Sequence, residues 1–467
     1  MILTSITLNE VEETFRQLLL DVVEFIEENP VSSVPGDSQT SVPDDLLHEP
    51  LQLRFTGGWV RDKLIGVESQ DIDVGINKMT GFQFGLRLKE FLDGPGNAAK
   101  YGLEGHEKKA GSLSKIEANP EKSKHLETVT TRILGLDIDL VNLRKETYTE
   151  ISRNPQMEFG TPEEDALRRD ATINAMFYNI HTSQIEDLTN RGLDDLKSGV
   201  IRTPLEPHTT FVDDPLRVLR LIRFASRYGY QIDEAATKAM GNEEIKQALM
   251  LKITRERVGV EVEKMLKGPD PHSALSYIDE LKLYETIFTN PANPDLFLPD
   301  LTNWRATYDA LSNMLRKGAG SEQSIAGTLI GSKDEMFLAW TSTALIPLFD
   351  APEPAALKSG KRAPPVATTV AREGLKAPNR VTDLITSSIW NMEEIRELKN
   401  EKAAARDTLG MTIRKWGPNW KLQVLIAALH EIYTSPERRE SKFAVEMLNI
   451  LRVLLCNSHT RRIHFVC

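Results

Sequence analysis

The run Asp71-Ile72-Asp73-Val74-Gly75-Ile76 constrains this chain more than any other segment. Its apolar residues alternate as in a strand with one buried face, and the same period of two sets both aspartates on the other face, ~7 Å apart. Two carboxylates that close cannot both be buried bare, so their face is either solvated or shares a cation. A solvent-facing strand edge would satisfy this pattern too, and the preceding segment LRFTGGWVRDKLIG tips the balance. A strand that ends in Gly57-Gly58 and opens a short helix lets the backbone approach a ligand. The first N–H groups of such a helix suit phosphate, and Arg61 lies one turn in. Alone, a Gly-Gly pair reads as a plain turn. Followed by paired acids it suggests a phosphate site beside a metal site, because Mg²⁺ takes carboxylate oxygens, keeps waters and bridges to substrate phosphates.

A third carboxylate would complete such a site, and two stand on the next β-type runs: Glu127 in HLETVTTR and Asp139 in LDIDLVNL. Both could share the face of Asp71 and Asp73, and the residues alone do not choose between them. In PEEDALRRDATINAMFYNI, read as a helix, Asp170 and Asn174 share a face one turn apart beside the guanidinium forks of Arg168 and Arg169. Such forks hold triphosphate oxygens, and Asp or Asn can read ribose hydroxyls; internal pairing of Asp165 with Arg169 is the plainer expectation. In FVDDPLRVLRLIRFASRYG, Arg217, Arg220, Arg223 and Arg227 form a cationic stripe on an amphipathic helix. Asp214 before Pro215 reads as a helix cap, and with Arg217 it also presents an acceptor and a forked donor that could match the edge of a base.

Along the chain, residues 1–50 read as a helix followed by a Pro/Ser/Asp-rich linker. From 51 to 203 short β-type runs alternate with helical ones, and a helix is expected over Thr80–Leu92; the fold class there is α/β or α+β. After Pro204 the pattern is helical, with a first helical part at 204–285 and a second at 286–467. The segment Asp93–Lys124 is too long for an ordinary connection. A chain of 467 residues with 40% hydrophobic content can bury several cores. Its net charge of −11 argues against indiscriminate binding to nucleic acid or membrane, yet Lys358–Lys421 holds 13 basic and 7 acidic residues, which points to a polyanionic partner there. The two cysteines, Cys456 and Cys467, cannot build a four-ligand zinc site or staple a secreted fold. With no apolar run long enough to span a membrane and no presequence visible at this start, an intracellular protein without a membrane is expected.

Taken in order, these segments resemble the class II tRNA nucleotidyltransferases, the CCA-adding enzymes, in their eukaryotic and fungal form. GGWVRD with DID is similar to the family's catalytic motif A, RRDATINA to motif B and EDLTNRGLDDLKSGVIRTP to motif C. DDPLRVLRLIRFA is similar to motif D and TRERVGVEVEKML to motif E. The resemblance implies a head with a DNA polymerase β-like nucleotidyltransferase sheet, followed by an all-α neck, body and tail that hold tRNA. It implies that Asp71 and Asp73 bind catalytic Mg²⁺, with Glu127 as the favoured third acid, and that Gly58, Arg61 and Arg169 contact triphosphate; Gly57, Arg168 and Asn174 join them as nucleotide-binding candidates. Asp170 would lie near the ribose, while Asp214 and Arg217 would pair with the edge of CTP or ATP, supported by Arg220 and Arg223. Asp213 stands where the family usually has Glu, and Asp93–Lys124 lies where the family has a flexible loop needed for the switch to adding A. A poly(A) polymerase or a specialist C-adding or A-adding enzyme shares head and neck, and a non-catalytic tRNA-binding paralogue is the rival of another class.

Overall fold

The computed structural model describes residues 3, 5–30, 46, 48–103, 114–115, 128–149, 152–292, 297–318, 325–356, 359–400 and 406–435. Glu127, Cys456, Cys467, the C-terminal run CNSHTRRIHFVC and most of the long connection after Asp93 lie outside them. The chain divides into two compact units, one of residues 1–217 and 230–240, the other of 218–229 and 241–467.

The first unit is built on a seven-stranded sheet. In chain order its strands are β1 (Leu53–Thr56), β2 (Asp71–Ile76), β3 (Ser114–Lys115), β4 (Val129–Ile133) and β5 (Leu136–Asn142). A hairpin of β6 (Arg144–Thr149) and β7 (Ser152–Phe159) stands apart from that sheet, and β8 (Phe177–Asn179) and β9 (Gln184–Glu186) rejoin it. The spatial order is β3-β4-β5-β2-β1-β8-β9, so the central pair β1 and β2 comes from the GGWVRD and DID segments. β2 runs antiparallel to β1 and parallel to β5, placing Thr56, Asp73 and Asp139 side by side.

Period-two alternation then sorts the sheet into two faces. Phe55, Val74 and Leu140, all buried, occupy the apolar one. Helix Glu10–Glu28 meets that face: Phe15, Leu18, Leu19 and Val22 are fully buried, and the rings of Phe15 and Phe55 stack at 5.9 Å. Each such side chain contributes roughly 1.5–3 kcal/mol on burial. This helix starts where Asn9 and Glu12 exchange hydrogen bonds in a capping box, and helix Gly81–Asp93 starts the same way on Thr80 and Gln83. Thr56, Asp73 and Asp139 are left on the opposite face.

The second unit is helical. Among its elements are Arg255–Leu266, Trp304–Gly318, Lys333–Leu345, Asn379–Asn400 and Trp420–Thr434. Tyr284 and Trp304 meet edge to face at 4.7 Å in its core, and the Tyr284 hydroxyl donates to the Ala344 carbonyl at 3.1 Å. Arg255 is buried with its guanidinium on the carbonyls of Gly374, Thr286 and Ile287, which ties two segments to one helix start. A Cβ at Gly259 would lie 1.9 Å from the Leu375 carbonyl oxygen, so this packing excludes any side chain there. Among the described residues no helix is long and apolar enough to cross a membrane.

Candidate nucleotide and metal site

The acid face of β2 carries Asp71, exposed at the strand start, and Asp73, half-buried two residues on. In register beside them on β5 stand Asp137 and Asp139. Asp139 accepts from the Thr130 hydroxyl at 2.6 Å, and Asp137 faces Arg132 at 3.5 Å near solvent. Parallel pairing thus brings Asp139 to Asp73, an alignment that the separate runs could not reveal. Burial, opposed by Arg169 and reinforced by Asp139 and Asp71, pushes the Asp73 carboxyl up to about 6. A bare carboxylate is uncomfortable there, and all the donors are hard oxygens, so the set fits a divalent cation such as Mg²⁺. Among the described residues no group of three or more His, Cys, Asp or Glu side chains is drawn together closely enough to hold a metal ion by itself. Mg²⁺ does not need one, since it keeps waters and substrate oxygens as ligands.

At the end of β1 the chain turns through Gly57, whose φ of +70° is left-handed, into helix Gly58–Leu64. A Cβ at Gly57 would lie 2.9 Å from Arg169 Nη1 and 3.7 Å from Asp73 Oδ2. The glycine therefore stands where guanidinium and carboxylate meet, and a substituent would push them apart. Arg61 is buried against Asp62 at 2.8 Å and donates to the Asn174 side-chain oxygen. Asn174 in turn donates to Asp170 at 3.1 Å. Gly57, Gly58, Arg61, Asp71, Asp73, Arg169, Asp170 and Asn174 form one neighbourhood.

RRDATINA is not a continuous helix. The helix expected there ends at Leu167, and Thr172–Asn174 is a single 3-10 turn. The reason is visible at Thr172, whose N–H donates to the Arg202 carbonyl at 2.8 Å and whose hydroxyl donates to Asp195 at 2.7 Å. The break turns Arg168 and Arg169 back onto Asp165, so the expected internal pairing is present, at 2.5 Å to Arg168 and 2.8 Å to Arg169. Burial works against charge on Asp165, but Arg169 and Arg168 more than offset it and hold the carboxyl down to about 2. Arg169 also donates to Thr56 Oγ1 at 3.1 Å and to the Asn174 carbonyl at 3.2 Å.

Arg217 is buried and donates to the Arg168 carbonyl at 2.7 Å. Asp214 accepts from the Leu216 N–H at 3.2 Å, so its capping role at the start of helix Leu216–Tyr228 is realised. Arg220 and Arg223 belong to the second unit. There Arg223 pairs with Glu261 at 2.6 Å and lies over the Phe224 ring at 4.4 Å, while Arg220 lies over the same ring at 5.5 Å. The cationic stripe is thus partly neutralised by the protein itself. Two carboxylates that the sequence reading did not single out as site residues, Asp165 and Glu146, organise the arginines of the first unit. Glu146, with its side chain 6% exposed, contacts Arg144 at 3.0 Å and Arg168 at 2.9 Å.

Residues 53–202 match the family model described as "Poly A polymerase head domain", and residues 229–296 match "Probable RNA and SrmB- binding site of polymerase A". The chain is 45% identical over 446 residues to "Nucleotidyltransferase lcsQ" of Purpureocillium lilacinum, covering 91% of this chain and 72% of that protein. It is 39% identical over 415 residues to "CCA tRNA nucleotidyltransferase, mitochondrial" of Candida glabrata, covering 84% and 77%. Among solved structures, "Thermotoga maritima CCA-adding enzyme complexed with tRNA_CCA" has a TM-score of 0.59 at 19% identity, covering 96% of this chain and 83% of that one, a likeness of fold.

Proposed function

The chain belongs to the class II CCA tRNA nucleotidyltransferase family, and from that premise we propose that it adds C, C and A in turn to the 3′ end of tRNA from CTP and ATP, without a nucleic-acid template. The observation that carries this reading is the alignment of Asp73 with Asp139 beside Gly57 and Arg169. Asp71 and Asp73 would hold Mg²⁺, with Asp139, in register beside Asp73, or Glu127, which lies outside the described residues, as the third acid. The ion would lower the pKa of the tRNA 3′-hydroxyl and neutralise charge on the leaving group. The 3′-oxygen attacks the α-phosphorus, the bond from that phosphorus to the bridging oxygen breaks, and pyrophosphate leaves.

The protein's own groups align the reactants, which removes much of the entropic barrier. Gly57 and Gly58 give the triphosphate close access to backbone, and Arg61 and Arg169 hold its oxygens, exchanging one charge-assisted contact for another, while Arg168 beside them stays anchored on Asp165 and Glu146. Asp170 and Asn174 face the ribose. Asp214 and Arg217 read the base edge. The cationic stretch Lys358–Lys421 of the helical unit suits the tRNA backbone.

The test is incubation with tRNA trimmed of its 3′ end, Mg²⁺, and CTP alone, ATP alone or both. Two residues added with CTP and a third only when ATP is also present is the expected pattern. An ATP-only ladder would favour homopolymer addition, the second reading that the polymerase-head match supports. Addition halted at one nucleotide type in every mixture would mark a specialist. Changing Arg217 to Ala is expected to lower the preference for CTP over UTP by about tenfold or more, the worth of one charge-assisted hydrogen bond. Filter binding should show tRNA affinity little changed; weakened tRNA binding with normal selection would place Arg217 on the other substrate.

A further inference from the structure

Glu146 lies on β6, which follows the acid-bearing β5 after a single residue, Leu143. Its Oε1 binds Arg168 Nη1 at 2.9 Å and Arg144 Nε at 3.0 Å, and its Oε2 faces Arg217 Nη2 at 3.8 Å. The same Arg217 Nη2 donates to the Arg168 carbonyl at 2.7 Å, and Arg168 Nε donates to the Arg144 carbonyl at 3.1 Å. One carboxylate thus pins the residue on whose backbone Arg217 rests, and adds its own charge to the same guanidinium. We infer that Glu146 is a positioning residue for nucleotide selection: without touching substrate, it fixes the plane of the Arg217 fork and so sets discrimination between correct and incorrect bases. The inference rests on the reading of Arg217 as the base-reading group.

The chemistry demands a carboxylate. Glutamine at this place offers a single neutral oxygen and an amide N–H₂ that would point at a guanidinium, so Arg168, Arg144 and Arg217 would share less acceptor capacity and Arg217 would be free to tilt. A planar fork recognises an edge only while its plane is held, because selectivity depends on geometry more than on charge.

The experiment compares wild type, Glu146→Gln, Arg217→Ala and the double variant by the ratio of kcat/KM for CTP against UTP and for ATP against GTP, with thermal melts as a fold control. Glu146→Gln is expected to lower both ratios about tenfold with tRNA affinity unchanged, and to have no further effect on them in the Arg217→Ala background. Lower kcat with unchanged ratios, or losses that add in the double variant, would overturn the inference. Should Glu146→Gln fail to fold, the same ratios are read on Glu146→Asp, which keeps the charge but draws it back by one methylene. Intact ratios there would equally overturn it. Failure of the underlying reading would show separately, as wild-type protein that shows no base preference or extends no tRNA.

Discussion

Replacing Asp71 and Asp73 together by alanine is expected to cut nucleotide transfer at least about a thousandfold, the rate equivalent of losing several kcal/mol of metal stabilisation in the transition state. The same variant should keep its fold. Asp71 is exposed at the start of its strand and contributes little to stability. Asp73 is a different case, since burial pushes its carboxyl up to about 6. A folded-state value above the unfolded one means that the native state holds the proton more tightly. Stability of the metal-free protein therefore falls as pH rises from about 4 through 6, and the cost of the ionised group is fully present at neutral pH. Removing it at pH 7.5 in the presence of a chelator should leave the melting temperature unchanged or raise it, by a free energy on the order of 1–2 kcal/mol. Near pH 4 the difference should vanish. Turnover above a tenth of wild type would remove the pair from the metal role. A marked drop in melting temperature would instead make the acids structural.

The shared face of Asp71 and Asp73 was legible in the strand itself, because period-two alternation alone sets them away from Ile72 and Val74. The helix at Gly81–Asp93 was legible for a similar reason, since its apolar spacing and its Thr80 cap are local signals. Asp139 could not be assigned so, because its alignment with Asp73 depends on the register between two strands separated by a long connection. The break in RRDATINA was equally hidden. It is set by the Arg202 carbonyl and the Asp195 carboxylate taking the groups of Thr172, partners more than twenty residues away. Glu146 and Asp165 escaped because a buried acid that organises arginines is written in the same letters as a solvated one. The expected pairing of Asp165 with Arg169 gave a partial signal, and its burial turned an ordinary helix pair into the centre of the site.

Changing Asp165 to alanine is accordingly expected to destabilise the first unit by about 3–5 kcal/mol, the usual cost of stranding buried charges by removing their partner. Its side chain is 1% exposed and accepts from Arg168 at 2.5 Å, from Arg169 at 2.8 Å and from the Arg144 N–H at 3.2 Å. Two guanidinium groups and one backbone donor would each lose an acceptor at once. The pH dependence should carry the same signature with the opposite sign to Asp73. A carboxyl held down to about 2 against an ordinary value of 3.8 contributes stability that is complete above about 4 and is lost as pH falls toward 2. Urea titrations of wild type and variant should thus converge in acid and separate at neutral pH. Asparagine keeps the shape and an acceptor oxygen without the charge, so it should cost less than alanine and separate hydrogen bonding from charge. A loss under about 1 kcal/mol for alanine would mean that Glu146 or solvent can take over both arginines, and that the ion cluster orders the site without holding up the fold.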